Sequence, residues 1–166
     1  MLVFLDTEFS DFTDMDLLSI GMITCDGKHQ LYLERNDYDY GLCSTFVKTD
    51  ILPLMDKIGN HIVDYIELRY RVKTWLKTLP YDEVEIVVDY TGDWMLLREL
   101  WSFGEELPET LKGGLMLYNL EGVRPSLLSD GITSFWRENP HLKQHRADHD
   151  AAANRAGYLH CLQQLY

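Results

Sequence analysis

The residues best suited to chemistry in this sequence are carboxylates in short, regularly spaced groups. Asp6 and Glu8 stand two positions apart, directly after the apolar run LVFL at residues 2–5. In a strand, residues i and i+2 point to the same face, so these two side chains are expected to point to one place. Two buried like charges are costly unless a cation neutralises them. The pair predicts a metal site, and two solvated acids at a strand end are the simpler alternative.

A second group, DYTGDW at residues 89–94, follows another apolar run and opens a helical pattern. Ligands of sheets with helical crossovers commonly bind where strands end, and Asp89 and Asp93 are expected there. Helix N-capping is the alternative role for Asp93, because aspartate is favoured at that position.

A third group joins His145 to Asp150, just before and just inside the last predicted helix. An imidazole titrates near neutral pH and can therefore deprotonate water. A capping aspartate with a surface histidine is the plain alternative. A zinc site of His141, His145 and His149, spaced by four, would need one continuous helix, which Pro140 and a helix start near residue 147 disfavour.

The three groups agree in chemistry. Carboxylates without thiolates suit hard cations such as Mg²⁺ or Mn²⁺. Two such ions roughly 3.5–4 Å apart stabilise both the attacking and the leaving oxygen of an in-line phosphoryl displacement. The sequence therefore predicts two metal ions per active site, held by Asp6, Glu8, Asp93 and Asp150, with His145 as general base for phosphodiester hydrolysis.

A sheet and its connecting helices must position these groups. Apolar runs predict strands at 2–6, 16–25, 28–34, 85–89 and 114–120, with Asp26-Gly27 as a hairpin turn. Helical spacing predicts an interrupted helical piece at 44–58 and helices at 60–79, 90–103, 125–138 and 147–165. Asn60 is the predicted N-cap of the helix at 60–79. This order predicts an α/β fold with a mixed five-stranded sheet, three antiparallel strands followed by parallel crossovers, and helices on both faces.

At these residues the chain resembles the DEDDh exonucleases, the branch of the ribonuclease H-like superfamily that includes oligoribonuclease and ribonuclease T. The first family motif matches Asp6-Thr7-Glu8. The second matches Asp93, with Asp89 at the position where the family usually has asparagine. The third, a histidine with an aspartate five residues later, matches His145 and Asp150. The resemblance runs from residue 2 to the final helix. The opening DTEF at residues 6–9 and the GDW at residues 92–94 resemble a compact bacterial exoribonuclease subfamily.

This resemblance implies a ribonuclease H-like fold and 3′–5′ exonuclease activity that releases nucleoside 5′-monophosphates. It implies that Asp6 bridges both ions, that Glu8 and Asp150 bind the ion beside the attacking water, and that Asp93 acts on the other. It also implies that the backbone near Thr7 and Phe9 meets the sugar of the terminal nucleotide. RNA is the expected substrate rather than DNA, and a homodimer is the expected assembly.

Aromatic residues close to the motifs can stack a terminal base without reading its identity. Phe9 and Trp94 are the candidates beside Thr7 and Asp89 for substrate contact, and a place in the core is the alternative for Trp94. Trp101, Phe103 and Trp136 are candidates for an apolar interface between subunits.

Composition bounds these expectations. The 166 residues suit a single domain over 1–166, and the net charge of −12 favours a short nucleic acid gripped at its end. No run reaches the roughly 18–20 apolar residues that span a bilayer, and three scattered cysteines indicate reduced thiols in the cytoplasm. Two other functions remain open: a catalytically inactive nuclease-like domain that binds nucleic acid or protein, and a two-metal phosphohydrolase acting on small nucleotides.

Overall fold

Six strands form one mixed sheet in the computed structural model, which describes residues 1–102 and 104–165. They are β1 Leu2–Phe9, β2 Leu17–Thr24, β3 Gln30–Arg35, β4 Ile62–Val63, β5 Val84–Val88 and β6 Leu111–Met116. Their spatial order is β4-β3-β2-β1-β5-β6. β1, β2 and β3 pair antiparallel, whereas β5 runs parallel to β1 and β6 runs parallel to β5. The predicted α/β class and mixed sheet are confirmed.

The strand count differs from the predicted five because of β4, which lies where a helix start was expected. Its two residues pair in parallel with Glu34 and Arg35 of β3. The helix that follows is capped by Asp64, whose side chain accepts a hydrogen bond from the Glu67 N–H at 2.8 Å. Asn60 is therefore not the N-cap. The apolar spacing fitted a helix, but the capping carboxylate and the β3 edge place the boundary later.

The helices lie on both faces of the sheet, as predicted. They are α1 Tyr65–Thr78, α2 Thr91–Glu99, α3 Pro125–Glu138 and α4 Ala147–Gln163. A wide π-helical turn at Val47–Ile51 and a 3₁₀ turn at Leu52–Leu54 form the predicted interrupted piece around Pro53.

The alternation of side chains along β1 divides the core into two layers and determines which face of the sheet each site residue points to. Val3 and Leu5 of β1 pack with α1 and α2, whereas Phe4 packs with α3 and α4. Successive side chains of a strand point to opposite faces. Asp6 and Glu8 therefore continue the Phe4 side, towards α4, and Thr7 continues the other side, towards α2.

Gly21 of β2 lets the start of α4 lie directly on the sheet. A Cβ on this residue would come within 2.2 Å of the Ala147 carbonyl carbon and of the Asp148 nitrogen. These are backbone atoms, so no side chain can move aside to make room. This close approach brings the first turn of α4 over the strand pair that carries Asp6.

The expected homodimer stays a prediction. Phe103 lies outside the described residues, and Trp101 and Trp136 are half-buried rather than parts of an open patch. The three cysteines are free thiols. Within the described chain, no helix combines the length and the apolar character that a membrane crossing requires.

Candidate metal centre

The end of β1, the turn between β5 and α2, and the start of α4 meet at a cavity of about 670 Å³. Its lining includes all four carboxylates predicted as metal ligands, together with the predicted general base. These residues are Asp6, Glu8, Asp93, Asp150 and His145. The structure thus brings together groups that are separated by more than a hundred residues in the chain.

The ligand atoms fall into two groups. One oxygen or nitrogen from each of Glu8, His145 and Asp150 lies within 4.8 Å of the others, and the same holds for Asp6, Asp89 and Asp93. Asp89 is therefore a fifth carboxylate of the centre, beyond the substrate contact that was predicted. Its position at the carboxyl end of β5 was the signal available in the sequence.

Asp93 carries the clearest structural sign of a cation site. It is only 2% exposed, and one of its oxygens, Oδ1, accepts a hydrogen bond from the Thr7 hydroxyl at 2.6 Å. Its other oxygen, Oδ2, is buried and has no hydrogen-bond partner among the described residues. A buried carboxylate oxygen without a partner is costly unless a cation meets it. The N-cap of α2 is Tyr90, so Asp93 does not cap the helix.

The electrostatics of the centre favour a cation as strongly as its geometry does. Burial, and then the neighbouring carboxylates, raise the pKa of Glu8 to about 8 and hold the pKa of Asp6 well above its usual range. Burial also raises the pKa of Asp93 and that of Asp150 to about 7, with Asp89 adding repulsion in both cases. Each shift has the same physical cause, a carboxylate buried close to other carboxylates. Divalent cations would supply the compensating positive charge.

His145 lies at the mouth of the cavity in an unusual backbone conformation. Its φ of 62° is in the left-handed region, which residues other than glycine rarely adopt. Its N–H donates to Asp150 Oδ2 at 2.7 Å, and its ring meets the Phe46 ring edge-on at 5.3 Å between centroids. The side chain is exposed. The histidine is thus held by its backbone while its ring faces the cavity.

The residue after His145 is anchored to the sheet. The Arg146 guanidinium lies 4.3 Å from the centre of the Tyr32 ring. Its NH1 group contacts Asp56 Oδ2 at 3.0 Å, and its Nε donates to Asp148 Oδ1 at 3.0 Å. Since α4 begins at Ala147, the histidines at 141, 145 and 149 do not share one helix, and the zinc alternative loses its geometry.

Three of the four predicted substrate contacts line the cavity, namely Thr7, Phe9 and Asp89. Trp94 is not among the lining residues. Its ring packs beside Gly114 of β6, where an added Cβ would come within 2.6 Å of it. This position agrees with the alternative that Trp94 belongs to the core.

Two aromatic residues beside Phe9 complete a cluster at the cavity. The Phe9 ring lies 5.1 Å from Phe12 and 6.0 Å from Tyr90, between centroids. Phe12 is 74% exposed, which leaves its ring free to contact a ligand. The lining also includes residues that the sequence patterns did not single out as contacts, namely Phe46, Tyr118, Ile132, Trp136 and Asn154.

The charged side chains in the cavity lining are predominantly acidic. Six acidic residues face the cavity, and none of the lining residues that the structure describes is lysine or arginine. A polyanion therefore meets no basic track at this site unless cations are bound there.

The chain matches no protein-family model, and no curated protein sequence matches it significantly.

Proposed function

We propose that the protein is a metal-dependent 3′–5′ exonuclease that acts on RNA and releases nucleoside 5′-monophosphates. The observation that carries this proposal is the buried Oδ2 of Asp93, which has no hydrogen-bond partner in the described part of the chain and lies in the five-carboxylate centre that His145 borders. The sheet adds support: apart from the short β4, it has the three antiparallel and two parallel strands that the resemblance to DEDDh exonucleases implies.

Asp6, Glu8, Asp93 and Asp150 would hold two Mg²⁺ or Mn²⁺ ions. Asp89 lies within ligand distance of Asp6 and Asp93 and is therefore close enough to contribute. Bound there, the ions would neutralise the carboxylates and stabilise the charge that develops on the reacting phosphate. Thr7 positions Asp93, since its hydroxyl occupies one carboxylate oxygen and leaves the other for the ion.

His145 acts as general base in this proposal. Its imidazole accepts a proton from the attacking water while a bond forms between the water oxygen and phosphorus. The bond between phosphorus and the 3′ oxygen of the preceding nucleotide breaks, and that oxygen takes up a proton from solvent. The product keeps the phosphate on its 5′ carbon. The hydrogen bond from the His145 N–H to Asp150 keeps the imidazole beside the carboxylates that hold the reacting group.

The walls of the cavity favour a short, single-stranded 3′ end. The rings of Phe9, Phe12 and Tyr90 offer apolar faces on which bases stack, at roughly 1–3 kcal/mol per base. Since the lining residues within the described chain include no lysine or arginine, binding should depend on the terminal nucleotides and the ions rather than on a long backbone.

A gel assay with 5′-labelled single-stranded RNA tests the proposal. In Mg²⁺ or Mn²⁺ we expect stepwise shortening from the 3′ end, and none with a chelator or in Asp150→Ala. Binding without shortening in the wild type would instead support the inactive binding domain. Hydrolysis of a small phosphodiester without any shortening of RNA would support the small-nucleotide phosphohydrolase.

A further inference from the structure

Asn154 presents a buried amide to the same cavity with no assigned role. It lies on α4 four residues after Asp150, is 7% exposed and belongs to the cavity lining. No described residue makes a hydrogen bond to its side chain, and its amide atoms are not among the fully enclosed unpaired atoms. The amide therefore opens into the cavity, where it meets whatever the cavity binds.

The spacing from Asp150 places this amide close to the reacting centre. Residues i and i+4 share one face of a helix, so Asn154 lies about one turn, roughly 6 Å, along α4 from the carboxylate. A group that belongs to the same nucleotide as the reacting phosphate can reach it. The contact therefore does not require a nucleotide farther along the strand.

The cavity into which the Asn154 amide opens also has apolar side chains in its lining. Ile132 and Trp136 of α3 line the same cavity, and so does Tyr118, from the 3₁₀ turn Leu117–Asn119 after β6. Tyr118 is 52% exposed, so part of its surface is open to a ligand. Flat apolar walls bind the faces of nucleobases, whereas the hydroxyls of a ribose need polar partners.

An asparagine amide holds a donor and an acceptor side by side in one plane. Nucleobase edges offer the complementary pattern, and a good bidentate pair discriminates among bases by roughly 10- to 100-fold. We infer that Asn154 is a specificity-determining residue whose amide pairs with the edge of the nucleobase next to the scissile phosphate. This inference rests on the proposed nuclease function, and it adds a base preference that the carboxylate centre does not explain.

The test compares the wild type with Asn154→Leu, which is close in size and lacks the amide. Gln144→Leu is the matched control, because Gln144 is an exposed amide on the same cavity. The substrates are hexanucleotides that differ only in the 3′-terminal base, each with a ribose or a 2′-deoxyribose at that end. The quantity measured is kcat/KM in Mg²⁺, and circular dichroism checks the fold.

We expect the wild type to prefer some terminal bases by about 10-fold or more. Asn154→Leu should reduce this preference to about 3-fold or less, with the loss confined to the preferred bases, and Gln144→Leu should keep it. An equal loss on all four bases, a preference that survives in Asn154→Leu, or no preference in the wild type would each overturn the inference. So would a loss of ribose discrimination alone, which would assign the amide to the sugar.

A binding measurement separates this inference from the proposed function. Calorimetry with the four nucleoside 5′-monophosphates in Mg²⁺ reads base preference without catalysis. If the wild type cuts no RNA but binds one monophosphate best, and Asn154→Leu loses that difference, the nuclease proposal fails while the role of Asn154 stands. If RNA is shortened but both proteins bind all four monophosphates equally, the inference about Asn154 fails alone.

Discussion

Gly21 lies directly opposite Asp6 in the antiparallel pairing of β1 and β2, and the backbone of α4 fills the space beside it. The Ala147 carbonyl carbon would lie 2.2 Å from a Cβ on Gly21. Asp150 is in the same first turn of α4. Because Gly21 has no side chain, α4 can lie close to β1, and this close packing positions Asp150 relative to Asp6.

Gly21→Ala should displace the start of α4 and damage the centre more than the fold. Overpacking of this kind costs about 1–3 kcal/mol of unfolding free energy, and the shifted Asp150 should weaken Mg²⁺ binding. Calorimetry and thermal unfolding measure the two effects. Ser19→Ala, on the same face of β2, adds no atoms and should keep the metal affinity. Unchanged Mg²⁺ binding in Gly21→Ala would show that α4 can adjust without cost.

The stability of the metal-free protein should fall as pH rises. The folded-state pKa of Glu8 is about 8, and those of Asp93 and Asp150 are about 7, all above the values near 4 of an unfolded chain. Between these limits the folded protein binds more protons than the unfolded chain does, so the unfolding free energy decreases with pH. The decrease should run from about pH 4 to pH 8.

Urea denaturation with a chelator at pH 5 and pH 8 measures this slope. Asp150→Asn removes one of the titrating groups and should make the slope shallower, with a higher stability than the wild type at pH 8. Saturating Mg²⁺ should restore stability at pH 8, because it binds only the folded state. A metal-free stability that increases between the two pH values would contradict the electrostatic account of the centre.

Local patterns in the sequence placed Asp6 and Glu8 on one face because the period of a strand depends on neighbouring residues alone. The same holds for His145 and Asp150, whose separation is bounded by the start of α4. Their convergence on Asp93 needed the parallel pairing of β1 with β5, which the alternation of strands and helices indicated. The resemblance to a known family added the choice of Asp93 as a ligand.

Other features depend on contacts between distant segments and leave no local signal. Gly21 reads as an ordinary strand residue until α4 is placed on it. In the sequence, Asn154 is only one polar residue in a predicted helix. That its amide has no hydrogen-bond partner among the described residues is seen only in the folded structure. The predicted start of the first long helix was wrong because Ile62 fits a helical spacing equally well. Only its strand pairing with β3 shows that Ile62 lies outside the helix.

His145→Asn should reduce turnover and leave metal binding nearly intact. Loss of a general base typically costs 10²- to 10⁴-fold in rate. The side chain is exposed, and the anchoring hydrogen bond to Asp150 comes from the backbone, which the substitution keeps. Single-turnover kinetics and Mg²⁺ titration of the same variant give the comparison. Since His145 also lies within ligand distance of Glu8 and Asp150, equal losses in both measurements would identify it as a metal ligand.

Arg146→Ala should lower turnover through His145 rather than by contact with substrate. The Arg146 side chain ties the segment after His145 to Tyr32 and Asp56, so its removal should release the imidazole from its position. We expect a loss of about 10-fold in kcat with little change in KM. In the His145→Asn background the same substitution should have almost no further effect. Additive losses would show that Arg146 acts independently of the histidine.

The absence of lysine and arginine from the described cavity lining predicts that activity depends weakly on substrate length and that binding depends weakly on salt. Each phosphate that a protein neutralises adds a slope of about −0.7 to the salt dependence of single-strand binding. For a 12-nucleotide RNA, we expect the logarithm of the binding constant to fall with the logarithm of the salt concentration with a slope between 0 and about −2. The kcat/KM for a trinucleotide should lie within about 3-fold of the kcat/KM for the 12-nucleotide RNA. Fixed Mg²⁺ with varied KCl gives the measurement. A slope steeper than about −4 would require a basic surface outside the cavity that grips the strand.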